Sequence, residues 1–277
     1  MDSTDLRNAL TPIENHGEHW VKRDDTFDVF GQRGGKVRTC LSLAERGIGN
    51  GMGGLVTAGS RHSPQVAIVA AIAQRLGVPC RVHVPTGEIT PETEFAKVCG
   101  AEVIRHTPGY NTVIKSRATL DAAESGWVDI PFGMETQEAV EQTAGQVSNV
   151  NVLAKAGVIN RVVVPVGSGM SLCGVMEGLY RCGSRLDVLG IVVGANPIKR
   201  LNRYGGWDWR FNGLLEMRMA GTGKRMDLEV GATNPSYGSP PETSWLGDLE
   251  LDHVYEAKCI PFLEADDLLW VVGKRAS

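Results

Sequence analysis

The chain has 277 residues, 42% of them hydrophobic, and a formal net charge of -4. That apolar content supports one large or two modest folded domains and excludes a disordered chain. The mildly acidic balance gives no global attraction to nucleic acid or to an anionic membrane.

No apolar run approaches the roughly 20 residues that span a bilayer, so no membrane segment is expected. The opening MDSTDLRNALTP is polar and does not read as a signal peptide. Six cysteines (Cys40, Cys80, Cys99, Cys173, Cys182, Cys259) include no C-x-x-C pair. They read as reduced thiols of a cytoplasmic protein, not as a disulfide frame or a metal site.

Residues 1–19 read as a lead-in with a turn at Thr11-Pro12, Trp20 to Arg23 as a short strand, and Asp24-Asp25 as an acidic turn. Gly34-Gly35-Lys36 then steps into a helix over Val37 to Arg46. Glycines there let the backbone pass close to a flat ligand. The positive end of a helix favours a neutral, nucleophilic amine, which suits a lysine that forms an imine with an aldehyde. The plainer reading of Lys36 is a solvated surface group.

Gly47 to Gly54 reads as a loop, Leu55 to Ala58 as a short strand, and Gly59 to Pro64 as a turn. Gln65 to Leu76 is an alanine-rich helix closed by Gly77, and Cys80 to Val84 alternates as a strand. Pro91 to Cys99, Asn111 to Ser125 and Glu138 to Ala156 read as helices, with a strand at Ala101 to Arg105. Arg161 to Val166 is a buried strand feeding Gly167-Ser168-Gly169-Met170-Ser171, which opens a helix to Tyr180. Asp187 to Val193 and Leu268 to Val272 are further strands. Strands alternating with helices argue for an α/β fold with parallel sheets.

The turn at Gly167 to Ser171 presents successive backbone N–H groups, a helix start and the hydroxyls of Ser168 and Ser171, which together make an anion site. A plain strand-to-helix connection is the other reading. It is not a P-loop, because no G-K-[ST] follows, and Leu172 stands where a dinucleotide fingerprint needs its last glycine. Lys199 to Arg210, KRLNRYGGWDWR, interleaves bases with aromatics. Such a stretch either stacks on nucleobases while its charges meet phosphate or is a loop with solvated arginines.

Four stretches, in order, resemble the fold-type II pyridoxal-phosphate (PLP) enzymes, closest to the 1-aminocyclopropane-1-carboxylate deaminase and D-cysteine desulfhydrase group. VKRDD with FGQRGGKVR is similar to K-R-D-D…G-G-N-K-x-R-K, and VTAGSRHSP to V-T-A-G-G-x-x-S-N-H. PVGSGMSLCG is similar to the loop T-G-S-G-G-T-x-x-G, and DHVYEAKC to D-P-V-Y-E-G-K-S. Ser236-Tyr237-Gly238-Ser239-Pro240 also resembles G-T-Y-G-I-P.

The resemblance implies two α/β domains, parallel sheets with helices on both faces, and the cofactor in the interdomain cleft. The smaller domain would span residues 41–150, and the larger would combine 1–40 with 151–277. Lys36 would form the imine with the cofactor aldehyde and then act as a base. Gly167, Ser168, Gly169, Met170 and Ser171 would hold the phosphate, and Glu256 would pair with the ring nitrogen. The turn Ser60, Arg61, His62, Ser63 would bind the substrate carboxylate, with Ser63, Tyr237 and Tyr255 facing the reacting atoms. His62 reads equally as an acid–base group or a solvated loop residue.

Departures from the family pattern are Gly35 and Pro64 in place of asparagines, Met170 in place of glycine, a short segment between Pro240 and Asp252, and a chain that stops at Ser277. The implied activity is deamination or elimination on a small amino acid, giving an oxo acid and ammonia, in a cytoplasmic homodimer that uses no metal. Two alternatives stand beside it. One is a PLP lyase or decarboxylase acting on an amino-acid-modified nucleotide or DNA base. The other is a non-catalytic binding protein with this fold, for which Pro64 is the main support.

Overall fold

The computed structural model describes residues 7–107, 111–194, 196–205, 213–228, 232, 234 and 239–273. The strands, in chain order, are β1 (Ile13–His16), β2 (His19–Arg23), β3 (Asp28–Val29), β4 (Gln32–Arg33), β5 (Leu55–Ala58), β6 (Cys80–Pro85), β7 (Glu102–His106), β8 (Val128–Ile130), β9 (Arg161–Val166), β10 (Asp187–Val192), β11 (Leu215–Met219), β12 (Trp245–Leu246), β13 (Leu249–Glu250) and β14 (Asp267–Val271). The helices are α1 (Gly35–Gly49), α2 (Pro64–Leu76), α3 (Pro91–Val98), α4 (Asn111–Ser125), α5 (Gln137–Gly145), α6 (Ser148–Lys155), α7 (Met170–Arg181) and α8 (Ile198–Tyr204). The chain forms two compact units, one from residues 1–26 and 136–274, the other from 27–135.

The larger unit is built on a six-stranded sheet of order β1-β2-β14-β9-β10-β11, parallel except for β1. Its central strands are apolar on both faces, as buried parallel strands are. Val162, Val164, Val188, Leu268 and Trp270 point to a core shared with residues of α5, α6 and α7, such as Val140, Val150 and Leu179. Val163, Leu189, Ile191 and Leu269 point the other way, onto Leu246, Leu251, Ala257 and Cys259. The last two belong to a 3-10 segment, Glu256–Phe262.

The smaller unit has an all-parallel sheet of order β7-β6-β5-β8. Val56 and Ala58 share one face of β5 and pack on Ile114, Ala118 and Ala122 of α4. Thr57, on the opposite face, accepts a 2.8 Å hydrogen bond from Gln65 of α2. Helices therefore cover both faces of this sheet.

Beyond the short hairpins, β8 and α8, which the sequence reading did not include, four differences from it have a clear physical cause. The lead-in contains a strand, because Gly17 (φ 72°) allows a two-residue turn that pairs His16 with His19. The helix after Lys36 runs on to Gly49, not Arg46, since a Cβ on Gly47 would sit 2.3 Å from Val128 Cγ2. Glycine there serves close packing, not a loop. The helix expected over Glu138 to Ala156 is broken into α5 and α6. At the break, buried Gln146 accepts from the Thr11 N–H (2.9 Å) and donates to the Ala9 carbonyl (3.0 Å). Edge strand β11 was not foreseen, as Leu215-Glu216-Met217-Arg218-Met219 is held by tertiary partners, the ladder to β10 and the burial of Met217 and Met219 in the core.

α7 lies on α5 at glycine contacts. A Cβ on Gly174 would meet Thr143 Cβ at 2.3 Å, and one on Gly178 would meet Val147 Cγ2 at 2.4 Å. Gly145 faces open space. Gly174→Ala and Gly178→Ala are each expected to destabilise the protein by roughly 1–3 kcal/mol through overpacking, with Gly145→Ala within about 0.5 kcal/mol of wild type. Urea unfolding of the three variants checks this; equal midpoints would refute the close approach of the helices.

Candidate functional site

The parallel strands of the larger unit end together. The C-terminal ends of β2, β14, β9 and β10 lie at Arg23, Val271, Val166 and Val192, along one sheet edge. In open parallel sheets this edge is where ligands bind. β9 runs out of it through Gly167 and Ser168 into α7, whose N-cap is Gly169 at φ 92°. No side chain caps this helix. Only Ser168 Oγ approaches, 3.5 Å from the Met170 N–H. The helix therefore presents its positive end at the sheet edge, an arrangement that attracts an anion.

Tyr255 and Glu256 meet the same edge. A Cβ on Gly167 would come within 2.9 Å of Tyr255 Cε1, so glycine is what lets the phenol ring lie on the turn. Asp252 positions this pair: its Oδ1 accepts the N–H groups of Val254 (2.8 Å) and Tyr255 (3.1 Å). Glu256 is 1% exposed. Its Oε1 accepts the Val272 N–H at 3.0 Å, just past the end of β14. Its Oε2 is buried with no hydrogen-bond partner among the described residues. Burial, reinforced by the charges of Asp252 and Asp25, pushes this carboxyl well above the usual carboxylate range. Met170 brings only its backbone to the turn, since its side chain is in the core. Ser171 follows it in the first turn of α7 and is half-buried. Tyr237 lies outside the described residues.

Two residues near this edge were given no role from the sequence, although Lys258 lies within the DHVYEAKC stretch. Asn234 is buried and donates to the carbonyls of Val192 (2.7 Å) and Ala220 (3.0 Å), holding its loop to the ends of β10 and β11. Lys258, 7% exposed, lines a cavity of about 550 Å³ with Ser239, Pro240 and Phe262. Burial lowers its pKa, and Asp252 partly opposes that shift.

The smaller unit places the remaining candidates at two helix starts. Lys36 is half-buried in the first turn of α1, behind the β3–β4 hairpin. Gly34, at φ 108°, is the N-cap, and its N–H donates to the Phe27 carbonyl at 2.8 Å. A side chain is disfavoured at such a φ, so this glycine sets the direction in which the helix and its lysine leave. Ser63 is the N-cap of α2 and accepts the Gln65 N–H at 3.3 Å. Pro64 occupies the first helical position, where its missing N–H costs no helix bond.

Gln65 is saturated. Its amide donates to Thr57 Oγ1 (2.8 Å) and the Pro131 carbonyl (2.9 Å), and accepts the Gly133 N–H (2.6 Å). An amide in an alanine-rich helix was the signal for this role. Ser60 is half-buried and His62 exposed. Arg61 turns away from the turn, donating to the Glu88 carbonyl at 2.8 Å and lying against Gly87. Among the described residues no group of His, Cys, Asp and Glu could hold a metal ion.

A family model for pyridoxal-phosphate dependent enzymes matches residues 5–208. A 1-aminocyclopropane-1-carboxylate deaminase of Pseudomonas syringae pv. syringae is 24% identical over 90% of this chain and 83% of its own. Among solved structures, an ACC deaminase homologue superposes with a TM-score of 0.77 at 18% identity, covering 97% of this chain and 90% of its own. A diaminopropionate ammonia lyase from Escherichia coli, in complex with an aminoacrylate-PLP azomethine reaction intermediate, superposes with a TM-score of 0.68 at 15% identity, covering 99% and 89%. With the family model spanning most of the chain, from the first strands past the glycine turn, the protein belongs to the pyridoxal-phosphate dependent enzymes.

Proposed function

We propose that the protein is a lyase or deaminase that acts at the α-amino group of a small amino acid and releases an oxo acid and ammonia. One observation carries the reading: the orphaned Glu256 oxygen and the uncapped glycine turn stand on the same sheet edge. A phosphorylated pyridine is served by both, an anion cradle for the phosphate and a carboxyl that pairs with a protonated ring nitrogen. The backbone N–H groups of Gly169, Met170 and Ser171, with the Ser168 hydroxyl, hold the phosphate. Glu256 meets the ring nitrogen through Oε2, which gains its missing partner. When bound, the cofactor supplies an aldehyde that condenses with amines and a ring that accepts an electron pair from the α carbon.

The other residues bind and move protons. Lys36 anchors the aldehyde and, once freed, takes a proton as a base. Ser60 and Ser63 hold the substrate carboxylate at the start of α2. Ser63 accepts the Gln65 N–H, which leaves its own O–H to donate to the substrate. Tyr255 and Tyr237 face the substrate. Pro64 offers no amide and Gln65 has none to spare, so this turn contributes no side-chain amide to the cofactor's phenolic oxygen. A cytoplasmic homodimer goes with this reading. No helix of the described residues is long and apolar enough to cross a membrane.

The visible absorption spectrum tests the proposal. Wild type is expected to show a yellow band that borohydride fixes onto Lys36, and Lys36→Ala to lose or shift it. A colourless protein that takes up no added PLP would sink the proposal. In a screen of small amino acids for ammonia release, Lys36→Ala is expected to fall by about 10²- to 10⁴-fold.

A pH effect follows from Glu256. Its folded pKa lies above the ordinary value of 4.5, so between the two values the folded cofactor-free protein binds more protons than the unfolded chain. Stability contributed by this carboxyl therefore falls as pH rises through that window. Glu256→Gln removes the dependence. Urea unfolding of the cofactor-free pair from about pH 5 upward should show wild type losing stability relative to the variant; a constant difference would refute the burial of an unpartnered carboxyl.

A further inference from the structure

Positive charge gathers beside the phosphate turn, and part of it, at Lys199, Arg203, Lys224 and Arg225, enters no ion pair among the described residues. Residues 196–226 hold seven Lys or Arg and two Asp or Glu, in a chain of net charge -4. α8 turns Ile198 and Leu201 inward (6% and 0% exposed) and leaves Lys199 and Arg203 exposed. It lies directly on the turn: a Cβ on Gly169 would meet Leu201 Cδ2 at 3.1 Å and Pro197 Cβ at 3.3 Å. Further along the same sheet edge, the tight turn after β11 exposes Lys224 and Arg225.

These cations have few local counter-charges. Among the described residues no ion pair engages Lys199, Arg203, Lys224 or Arg225; the charge of Arg225 reaches Glu216, which Arg218 already holds at 2.8 Å. Like charges gathered on one edge repel, so an unneutralised cluster marks a surface that meets an anion. The Arg203 guanidinium also lies 5.3 Å from the centre of the Tyr204 ring. A paired cation and aromatic plane suits a base stacked over a phosphate, whereas a polycarboxylate makes no use of the ring.

We propose that this edge binds nucleotide phosphates and that the amino acid on which the enzyme acts is carried on a nucleotide or a nucleic-acid strand. Lys199 and Arg203 bind phosphates next to the cofactor turn, and Lys224 and Arg225 extend the track along the edge. This rests on the PLP-enzyme reading above and narrows its substrate class. The overall negative charge confines binding to this edge, so affinity is modest and strongly salt-dependent.

The test is fluorescence anisotropy of a labelled short DNA single strand with the PLP-loaded protein across a salt series. Four phosphate contacts on a single strand give a slope of log affinity against log salt of about -3. Lys199→Ala/Arg203→Ala and Lys224→Ala/Arg225→Ala should each halve the slope to roughly -1.5. No binding at low salt, or variants that bind as wild type does, would overturn the proposal. Competition with a nucleoside monophosphate separates the sources: displacement assigns a free nucleotide, and displacement by unlabelled strand alone assigns nucleic acid. Equal displacement by oligoglutamate would overturn the nucleotide assignment. The visible cofactor band is read on the same samples. A band without strand binding removes only this proposal, whereas its absence removes the enzyme reading itself.

Discussion

A carboxyl group kept out of water constrains much of the larger unit. Glu256 receives one backbone N–H, from Val272, and its second oxygen receives none. Leaving a buried acceptor unmet costs about 1–3 kcal/mol. That cost is carried by the surroundings. Asp252 holds the two preceding N–H groups, and Ala257 and Cys259 anchor the 3-10 segment in the core beneath the sheet. The segment has little freedom to rotate the carboxyl out to solvent. A buried acceptor without a partner calls for an explanation, and a ring nitrogen is the partner proposed for it.

The glycine turn and Glu256 are coupled through geometry. Gly167 accommodates the ring of Tyr255, Gly169 accommodates Leu201 and Pro197, and both lie where β9 ends. The turn is therefore packed on each side while the end of α7 stays uncapped. Met170, where the family has glycine, fits because its side chain leaves the turn for the core. The smaller unit shows a comparable economy. Pro64 is accepted because the first helical position needs no N–H, and Gln65 ties the start of α2 to β5 and to the loop after β8. The substitution changes the chemistry available at the turn without disturbing its backbone.

Much of this was legible from local pattern. The apolar run Val162 to Val166 and the glycines after it announced a buried strand and a tight turn into a helix, and alternating apolar stretches announced parallel sheets. The misreadings share one cause. Gly47 was taken for a loop residue because its reason for being glycine, Val128, lies far away in sequence. The break between α5 and α6 depends on Gln146 bonding to Thr11 and Ala9, partners more than a hundred residues distant. β1 and β11 are sheet edges whose stability comes from the neighbouring strand.

The sequence by itself determined the class of fold, the order of the motifs, the lysine at a helix start and the glycine turn, because each depends on residues adjacent in the chain. Only the tertiary structure decided that Glu256 is buried with one oxygen unmet, that Gln65 has no amide to spare, and that the basic helix Ile198–Tyr204 lies on the glycine turn. Those depend on burial and on the exclusion of water by segments far apart in sequence, and a linear pattern carries no record of either.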